Sequence, residues 1–173
     1  MIERAKSCDN IMLGATNKVK DTGNWKPHWK IEKYNHSNEL YAIDEFDGNC
    51  LLIEGISEFM KVACGIAGST AFNTANAHIG VGNGTAPAVN TQTGLQGANK
   101  AYAIMDATYP QVSNNTVTFR ATFGAGTAAF RWEEFTVANG NSDSAKNLSR
   151  KVEFHGEKAS ADTWVISCAI TIT

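Results

Sequence analysis

Charge is scarce in this chain of 173 residues, and neither sign is in clear excess. Only 18% of the residues are Asp, Glu, Lys or Arg, and the formal net charge is -2. A protein that holds nucleic acid or an anionic membrane through its electrostatic field needs a strongly basic surface. We therefore expect neither nucleic acid nor membrane among the partners.

Long apolar runs are also missing. No stretch approaches the ~20 apolar residues that a membrane-spanning helix needs. The first residues, Met1–Lys6, lack the apolar centre of a signal peptide. We therefore expect a soluble chain made in the cytoplasm, without a membrane-spanning helix.

Closely spaced metal ligands are absent. The four cysteines, Cys8, Cys50, Cys64 and Cys168, include no near pair of the kind found in zinc or redox motifs. The four histidines are equally scattered, and none has a second ligand one helical turn away. The sequence predicts free thiols and no metal site.

One glycine-rich stretch, Gly80–Gly84, invites comparison with a phosphate-binding loop. It lacks the third glycine of the dinucleotide spacing, no Gly-Lys-Ser/Thr follows, and no helical pattern begins directly after it. A strand end with positive φ, or the close approach of another backbone, explains the glycines better. No cofactor is predicted.

Catalytic constellations are missing as well. Glu133 and Glu134 are adjacent, and neighbouring residues on a strand point to opposite faces, whereas glycoside hydrolysis needs two carboxylates across a cleft. No Gly-x-Ser-x-Gly nucleophile motif occurs. The sequence predicts no catalytic residues and a protein that is not an enzyme.

Alternating apolar residues dominate the second half of the chain. Residues 116–123 alternate with a period of two, and residues 128–137 follow after the glycine-containing turn 124–127, which predicts a hairpin. The apolar parity changes at Glu133-Glu134, which indicates a β-bulge there. Residues 163–173 carry an apolar row typical of a strand inside a sheet.

Only one stretch has convincing helical spacing. Apolar residues recur at Leu52, Ile56, Phe59, Met60 and Ala63, and polar residues take the other side. Together with the strands, this predicts a mainly β fold: a two-sheet antiparallel β-sandwich of jelly-roll or Greek-key type over residues 28–173, with one short helix at about 50–64.

Residues 1–27 show no sustained period and contain many turn formers, which predicts an irregular, extended N-terminal arm. Trp25, at the end of this arm, and Trp29 lie close together within a polar segment. A tryptophan on a surface is costly unless something covers it. Either a partner covers these two side chains or they pack on their own domain.

Several blocks resemble a known family. They are Ala77–Thr85, Gln92–Gly97, Met105–Pro110, Thr118–Phe123 and Phe130–Phe135, followed by Asn147–Lys151 and Thr163–Thr173. Together they are similar to small virion-associated structural proteins of tailed bacteriophages and prophages. The similarity covers about residues 50 to 173 and does not extend into the first 45.

The resemblance implies a structural protein of the virion without catalytic residues. By analogy of shape, we expect a capsid decoration or cement protein on the capsid surface that binds the major capsid protein and bridges neighbouring subunits. It would act as a homo-oligomer, with a trimer favoured. The candidate contact residues are Trp25, Trp29, Asn83, Thr85 and Asn90.

Two alternatives remain open. The chain could belong to a tail, baseplate or fibre, where the loop of residues 86–99 and the aromatic residues Tyr102, Tyr109 and Trp132 would bind a receptor or a sugar. It could also be a small hydrolase that uses Glu133 or Glu134, although no constellation supports this reading.

Overall fold

Ten strands and one helix make up the computed structural model, which describes residues 24–173. The elements, in chain order, are β1 (Trp25–Tyr34), β2 (Leu40–Asp47), β3 (Cys50–Leu51), α1 (Ile53–Ala63), β4 (His78–Gly82), β5 (Lys100–Ile104), β6 (Gln111–Ser113), β7 (Thr116–Phe123), β8 (Glu134–Ala138), β9 (Asn147–Val152) and β10 (Thr163–Ile172). The strands form two five-stranded antiparallel sheets, in the orders β2-β1-β10-β7-β6 and β3-β9-β8-β4-β5. The predicted two-sheet sandwich with one short helix is confirmed.

Strand β10 lies at the centre of the first sheet. It pairs with β1 along its whole length and with β7 on its other side. Its apolar row points into the core, where Trp164, Ile166, Cys168 and Ile170 are buried. The prediction that this strand belongs inside a sheet is confirmed. Burial of each large side chain contributes roughly 1.5–3 kcal/mol, so the row contributes substantially to stability.

The predicted hairpin between residues 116–123 and 128–137 is wrong. Strand β7 belongs to the first sheet, whereas β8 pairs with β4 and β9 in the second. The intervening residues 124–133 cross between the sheets and make one isolated bridge, Arg131 to Glu157. This crossing places Phe123 and Trp132 edge to face across the core, with ring centroids 5.0 Å apart.

The crossing also explains the change in apolar parity at Glu133-Glu134. Strand β8 begins at Glu134, so the residues before it do not share its alternation. The irregularity in the β8–β9 pairing falls between Val137 and Ala138. Gly82 pairs with Glu134, and its carbonyl oxygen also accepts from the backbone N–H of Glu133 at 2.8 Å, so the β-bulge predicted at residues 133–134 is not contradicted and stays a prediction.

The domain boundary differs from the prediction. Strand β1 begins at Trp25, and Trp25–Pro27 pair with residues 170–172 of β10, so these residues belong to the sandwich and not to an arm. The backbone N–H of Asn24 also donates to the carbonyl oxygen of Thr173. The rest of the predicted arm, residues 1–23, lies outside the described residues.

The described thiols agree with the expectation from the sequence. Cys50, Cys64 and Cys168 are free thiols, as predicted, and Cys8 lies outside the described residues. Burial raises the pKa of the Cys168 thiol well above its ordinary value. No helix in residues 24–173 is long and apolar enough to cross a membrane.

Candidate interaction surface

A buried carboxylate holds the β4–β5 loop, residues 83–99, in place. Glu134 is fully buried, and its Oε1 accepts hydrogen bonds from the backbone N–H groups of Gly84 at 3.1 Å and Gly97 at 2.7 Å. Its Oε2 accepts from the N–H of Gln96 at 2.9 Å and from Nε of Arg150 at 2.7 Å. These four donors compensate the cost of burying the charge.

Arg150 ties the same loop down from β9. The side chain is fully buried, and its Nη1 donates to the carbonyl oxygen of Ala86 at 2.9 Å and to Oε1 of Gln92 at 3.0 Å. The Glu134–Arg150 pair therefore reaches the loop at several points along its length. The pairing also explains how a charged side chain can be fully buried on β9.

Gly82, the last residue of β4, and Gly84, two residues later, make room for this carboxylate. A Cβ added to Gly82 would lie 2.5 Å from Oε1 of Glu134, and one added to Gly84 would lie 2.6 Å from the same atom. Neither glycine has a positive φ. Close approach is therefore the reason for the glycines. The amides of Gly84 and Gly97 already bind an internal carboxylate, so they are not open to a phosphate.

Three of the predicted contact residues lie on the β4–β5 loop. Thr85 and Asn90 are exposed, whereas Asn83 is partly buried. The Oδ1 of Asn83 accepts from the backbone N–H of Asn99 at 2.9 Å, so this side chain joins the two ends of the loop. Thr85 and Asn90 remain available to a partner.

The two predicted tryptophans have different environments. Trp29 is fully buried and stacks on Phe46 in the core, so the prediction that it contacts a partner is wrong. Trp25 is only partly buried and packs edge to face on Phe59, with ring centroids 6.4 Å apart. Trp25 and Thr85 line different depressions of the surface, so the structure does not bring the candidates into one site.

The aromatic residues considered for sugar binding do not form a platform. Trp132 is fully buried in the core. The hydroxyl group of Tyr102 donates to Oδ1 of Asp143 at 2.5 Å, and burial together with this carboxylate raises the pKa of the tyrosine. Tyr109 is partly buried against the core. These three side chains therefore give no support to receptor binding or to sugar binding.

One cluster of ionisable groups lies between β1, β2 and the segment after β9. Nζ of Lys33 is 2.6 Å from Oδ2 of Asp44, and Nδ1 of His155 is 3.2 Å from the same oxygen. Burial lowers the pKa of His155, whose ring stacks on Phe46 with centroids 3.9 Å apart. Burial alone would raise the pKa of Asp44, but the contacts with Lys33 and His155 together lower it. These contacts link the two strands to the segment after β9.

Helix α1 packs on the second sheet with its polar side. Gly55 and Glu58 are its buried residues, and Oε1 of Glu58 accepts from the backbone N–H of Thr70 at 2.6 Å. Oε1 of Glu54 accepts from the N–H of Asn147, the first residue of β9, at 3.1 Å. The helix is thus held by carboxylates that accept from backbone amides.

The apolar side of α1 therefore faces outward. Ile53, Ile56, Phe59 and Met60 are exposed by 54%, 41%, 41% and 56%, and their spacing puts them on one face. We refer to these four residues as the apolar ridge. The sequence indicated an amphipathic helix. Within the helix, only Gly55 marks the side that faces the sandwich.

Gly55 is the position where the backbone of α1 meets β9. A Cβ there would lie 2.3 Å from both the carbonyl oxygen of Asn147 and Cα of Leu148. We expect Gly55→Ala to lower the free energy of unfolding by about 1–3 kcal/mol through overpacking, although alanine is the better helix former by about 1 kcal/mol. Chemical denaturation measures this difference.

The matched control for Gly55→Ala is Ser57→Ala, at an exposed position of the same helix. It should change the stability by no more than about 0.5 kcal/mol. Equal stability of the Gly55→Ala variant and the unchanged protein would contradict the close packing of α1 on β9.

An apolar groove lies beside the ridge. Its volume is about 550 Å³, and it reaches both sheets, through Leu148 of β9 and Ile170 of β10. Val112 and Ile172 are exposed by 75% and 48% at its lining. Within the described part of the chain, no charged side chain lines the groove. The other lining residues are Trp25, Phe59, Val62, Ala71, Phe72, Asn73, Pro110, Asn114, Asn115, Thr116, Val117 and Phe119.

The ridge and the groove are continuous. Phe59 belongs to both, because it projects from α1 and also lines the groove beside Trp25. Ridge and groove together form a largely apolar surface of the kind that marks protein–protein contact sites. Among residues 24–173, no cluster of three or more His, Cys, Asp or Glu residues could hold a metal ion.

Comparison of the chain with models of known protein families, with curated proteins and with solved structures gives no match.

Proposed function

We propose that this chain is a non-enzymatic structural protein of a tailed-phage virion, and specifically a capsid decoration protein. It binds the outer shell, contacts the major capsid protein and stabilises the shell by bridging neighbouring subunits. The observation that carries the proposal is the exposed apolar surface formed by the ridge and the groove. Large apolar surfaces of this kind are costly in a free monomer and are normally covered in an assembly.

The buried ionisable groups near the β4–β5 loop support the same proposal. Glu134 and Arg150 bind each other and the loop backbone, and Glu133 pairs with Arg131 at 2.7 Å. These charges are engaged in holding the structure together. The sequence blocks that resemble virion-associated proteins suggest that the contact is made within a virion. Many copies on one shell make individually weak contacts collectively strong.

The β4–β5 loop is the proposed contact with the shell. Thr85 and Asn90 are exposed on it, and the Glu134–Arg150 pair fixes its backbone. A loop that is already ordered loses little conformational entropy on binding. Two exposed polar side chains on such a loop suit the polar rim of a protein–protein contact.

Binding to the shell tests the function directly. Particles of the encoding phage that lack this protein should bind the purified chain at a stoichiometry that matches the capsomers, and should then resist heat or a chelator longer. The double variant Thr85→Arg with Asn90→Arg should bind at least about tenfold more weakly, because two bulky charges enter the contact. Ser37→Arg, in the exposed turn between β1 and β2, is the matched control.

Two outcomes would contradict this function. Shells that neither bind the chain nor gain stability would exclude the decoration role. Cryo-EM density for the protein at the tail or baseplate, with none on the shell, would replace it with the tail-associated reading.

A further inference from the structure

We propose that a depression beside the β4–β5 loop binds a carboxylate group, with the guanidinium group of Arg150 and the side-chain amide of Asn49 as hydrogen-bond donors. The site deepens the proposed shell contact, because Thr85 of that contact also lines the depression. It rests on the proposed function only for the source of the carboxylate. Carboxylate binding is measured on the purified chain alone, so its failure is distinct from a failure to bind shells.

The depression lies where three segments of the chain meet. Residues 48–50, from the turn between β2 and β3 and the start of β3, line it together with residues 150–152 of β9. Thr85, Pro87 and Ala88 line it from the β4–β5 loop. Its volume is about 510 Å³. We refer to it as the Arg150 depression.

Two residues of the Arg150 depression carry donors that have no hydrogen-bond partner. Nε of Arg150 donates to Glu134 and Nη1 donates twice to the loop, so the two N–H groups of Nη2 remain unpaired. Nδ2 of Asn49 is also buried without a partner among the described residues. Because buried donors without a partner are costly, two of them on one depression point to a ligand that accepts hydrogen bonds.

The kind of donor indicates the kind of ligand. Arg150 and Lys151 give the lining two cationic residues, and no Asp or Glu lines the depression. A carboxylate has two acceptor oxygens, and its charge strengthens the hydrogen bonds from Arg150 and from the neutral amide of Asn49 alike. A neutral carbonyl group has a single oxygen, and only its bond from Arg150 would be charge-assisted. A carboxylate therefore fits the two donors better than an amide does.

The charges behind the lining favour a ligand with a single negative charge. The carboxylate of Glu134 lies 2.7 Å from Nε of Arg150, and that of Glu153 lies 2.8 Å from Nζ of Lys151. Each cation of the depression thus already has a counter-charge. A phosphate group, which carries close to two negative charges at neutral pH, would be repelled more strongly by these carboxylates than a carboxylate would.

The ligand reaches the two donors past the β4–β5 loop. Nη2 of Arg150 and Nδ2 of Asn49 have almost no area open to solvent, so a ligand oxygen needs a small outward shift of the neighbouring loop. Thr85, Ala86 and Pro87 are exposed, so such a shift breaks no core packing. The hydroxyl group of Thr85 lies on the same depression and supplies a third donor.

Titration of the full chain with sodium acetate, followed by NMR, tests the site. The backbone amide signals of Asn49 and Thr85 should shift saturably with acetate at constant ionic strength. Acetamide, which has the same shape without the charge, should bind at least about tenfold more weakly. Inorganic phosphate should also bind more weakly than acetate. A titration without saturation, or acetamide or phosphate that binds as tightly as acetate, would overturn the carboxylate site.

Asn49→Asp is the variant that tests the donors. It removes an amide that has no partner in the fold and places a negative charge beside the ligand, so it should weaken acetate binding at least about tenfold. Asn141→Asp, the same change at an exposed position outside the depression, is the matched control and should bind like the unchanged chain.

Thermal melting must show that both variants are folded. Thr85→Val, at an exposed position, replaces Asn49→Asp if that variant is not folded, and it should weaken acetate binding by removing the third donor. A folded Asn49→Asp variant that binds acetate as tightly as the unchanged chain would overturn the assignment of the donors.

Competition with shells separates the two sources of the carboxylate. If an acidic side chain of the capsid protein enters the Arg150 depression, sodium acetate should release the chain from shells, whereas sodium chloride at the same ionic strength should not. Acetate that binds the chain without releasing it from shells would support the site and assign it to a small free carboxylate.

Discussion

Glu134→Gln is expected to lower the free energy of unfolding by about 3–5 kcal/mol, because it leaves the buried Arg150 charge without its counter-charge. The substitution also replaces one acceptor oxygen with an NH₂ group among the three backbone N–H donors of Gly84, Gln96 and Gly97. The new NH₂ group then faces a backbone N–H group, and both are donors. At least one of the three backbone amides therefore loses its hydrogen-bond acceptor. Urea denaturation, followed by tryptophan fluorescence, measures the loss.

Glu133→Gln is the control one residue away. Glu133 pairs with Arg131, whose side chain is 55% exposed, so water replaces much of the lost interaction. The expected change is no more than about 1 kcal/mol. Equal losses in the two variants would show that the Glu134 network does not hold the fold. The same pair of variants tests the hydrolase reading, because a measured activity that vanished with one change would support it.

Trp29→Ala is expected to lower the free energy of unfolding by about 3–5 kcal/mol, the usual cost of truncating a fully buried aromatic side chain. Trp29 contacts the rings of Phe46 and Phe135, each with centroids 6.0 Å away, so its removal opens a cavity lined by both sheets. Differential scanning calorimetry or urea denaturation measures the effect.

Trp25→Ala is the matched comparison, since Trp25 lies four residues earlier on the same strand but is only partly buried at the groove. Its truncation should cost clearly less stability, because it removes less buried apolar area. A Trp25→Ala variant that is as destabilised as Trp29→Ala would contradict the assignment of Trp25 to the surface.

Much of the candidate surface could not be predicted from the sequence. The helical spacing of Ile56, Phe59 and Met60 is the same whichever side of α1 faces the sandwich. The orientation depends on a close approach between Gly55 and Leu148, residues that are far apart in the chain. The groove likewise combines Trp25, Val112 and Ile172 from three separate segments, and only the folded chain brings them together.

The buried charge pair illustrates the same limit. Alternation along a strand placed Glu133 and Glu134 on opposite faces, but it did not reveal that β8 is covered on both sides. A central strand with two covered faces buries even its polar residues, which then need partners from elsewhere. Arg150 supplies that partner from β9.

The sequence by itself determined strands β7 and β10, the mainly β class and helix α1, because side-chain alternation and turn residues act locally. It determined the inside position of β10 through the unbroken apolar row of residues 164–172. Only the tertiary structure decided which sheet β7 and β8 join, which way α1 faces and where Glu134 finds its four donors. Those features depend on contacts between distant residues, and a local pattern of side chains is compatible with more than one such arrangement.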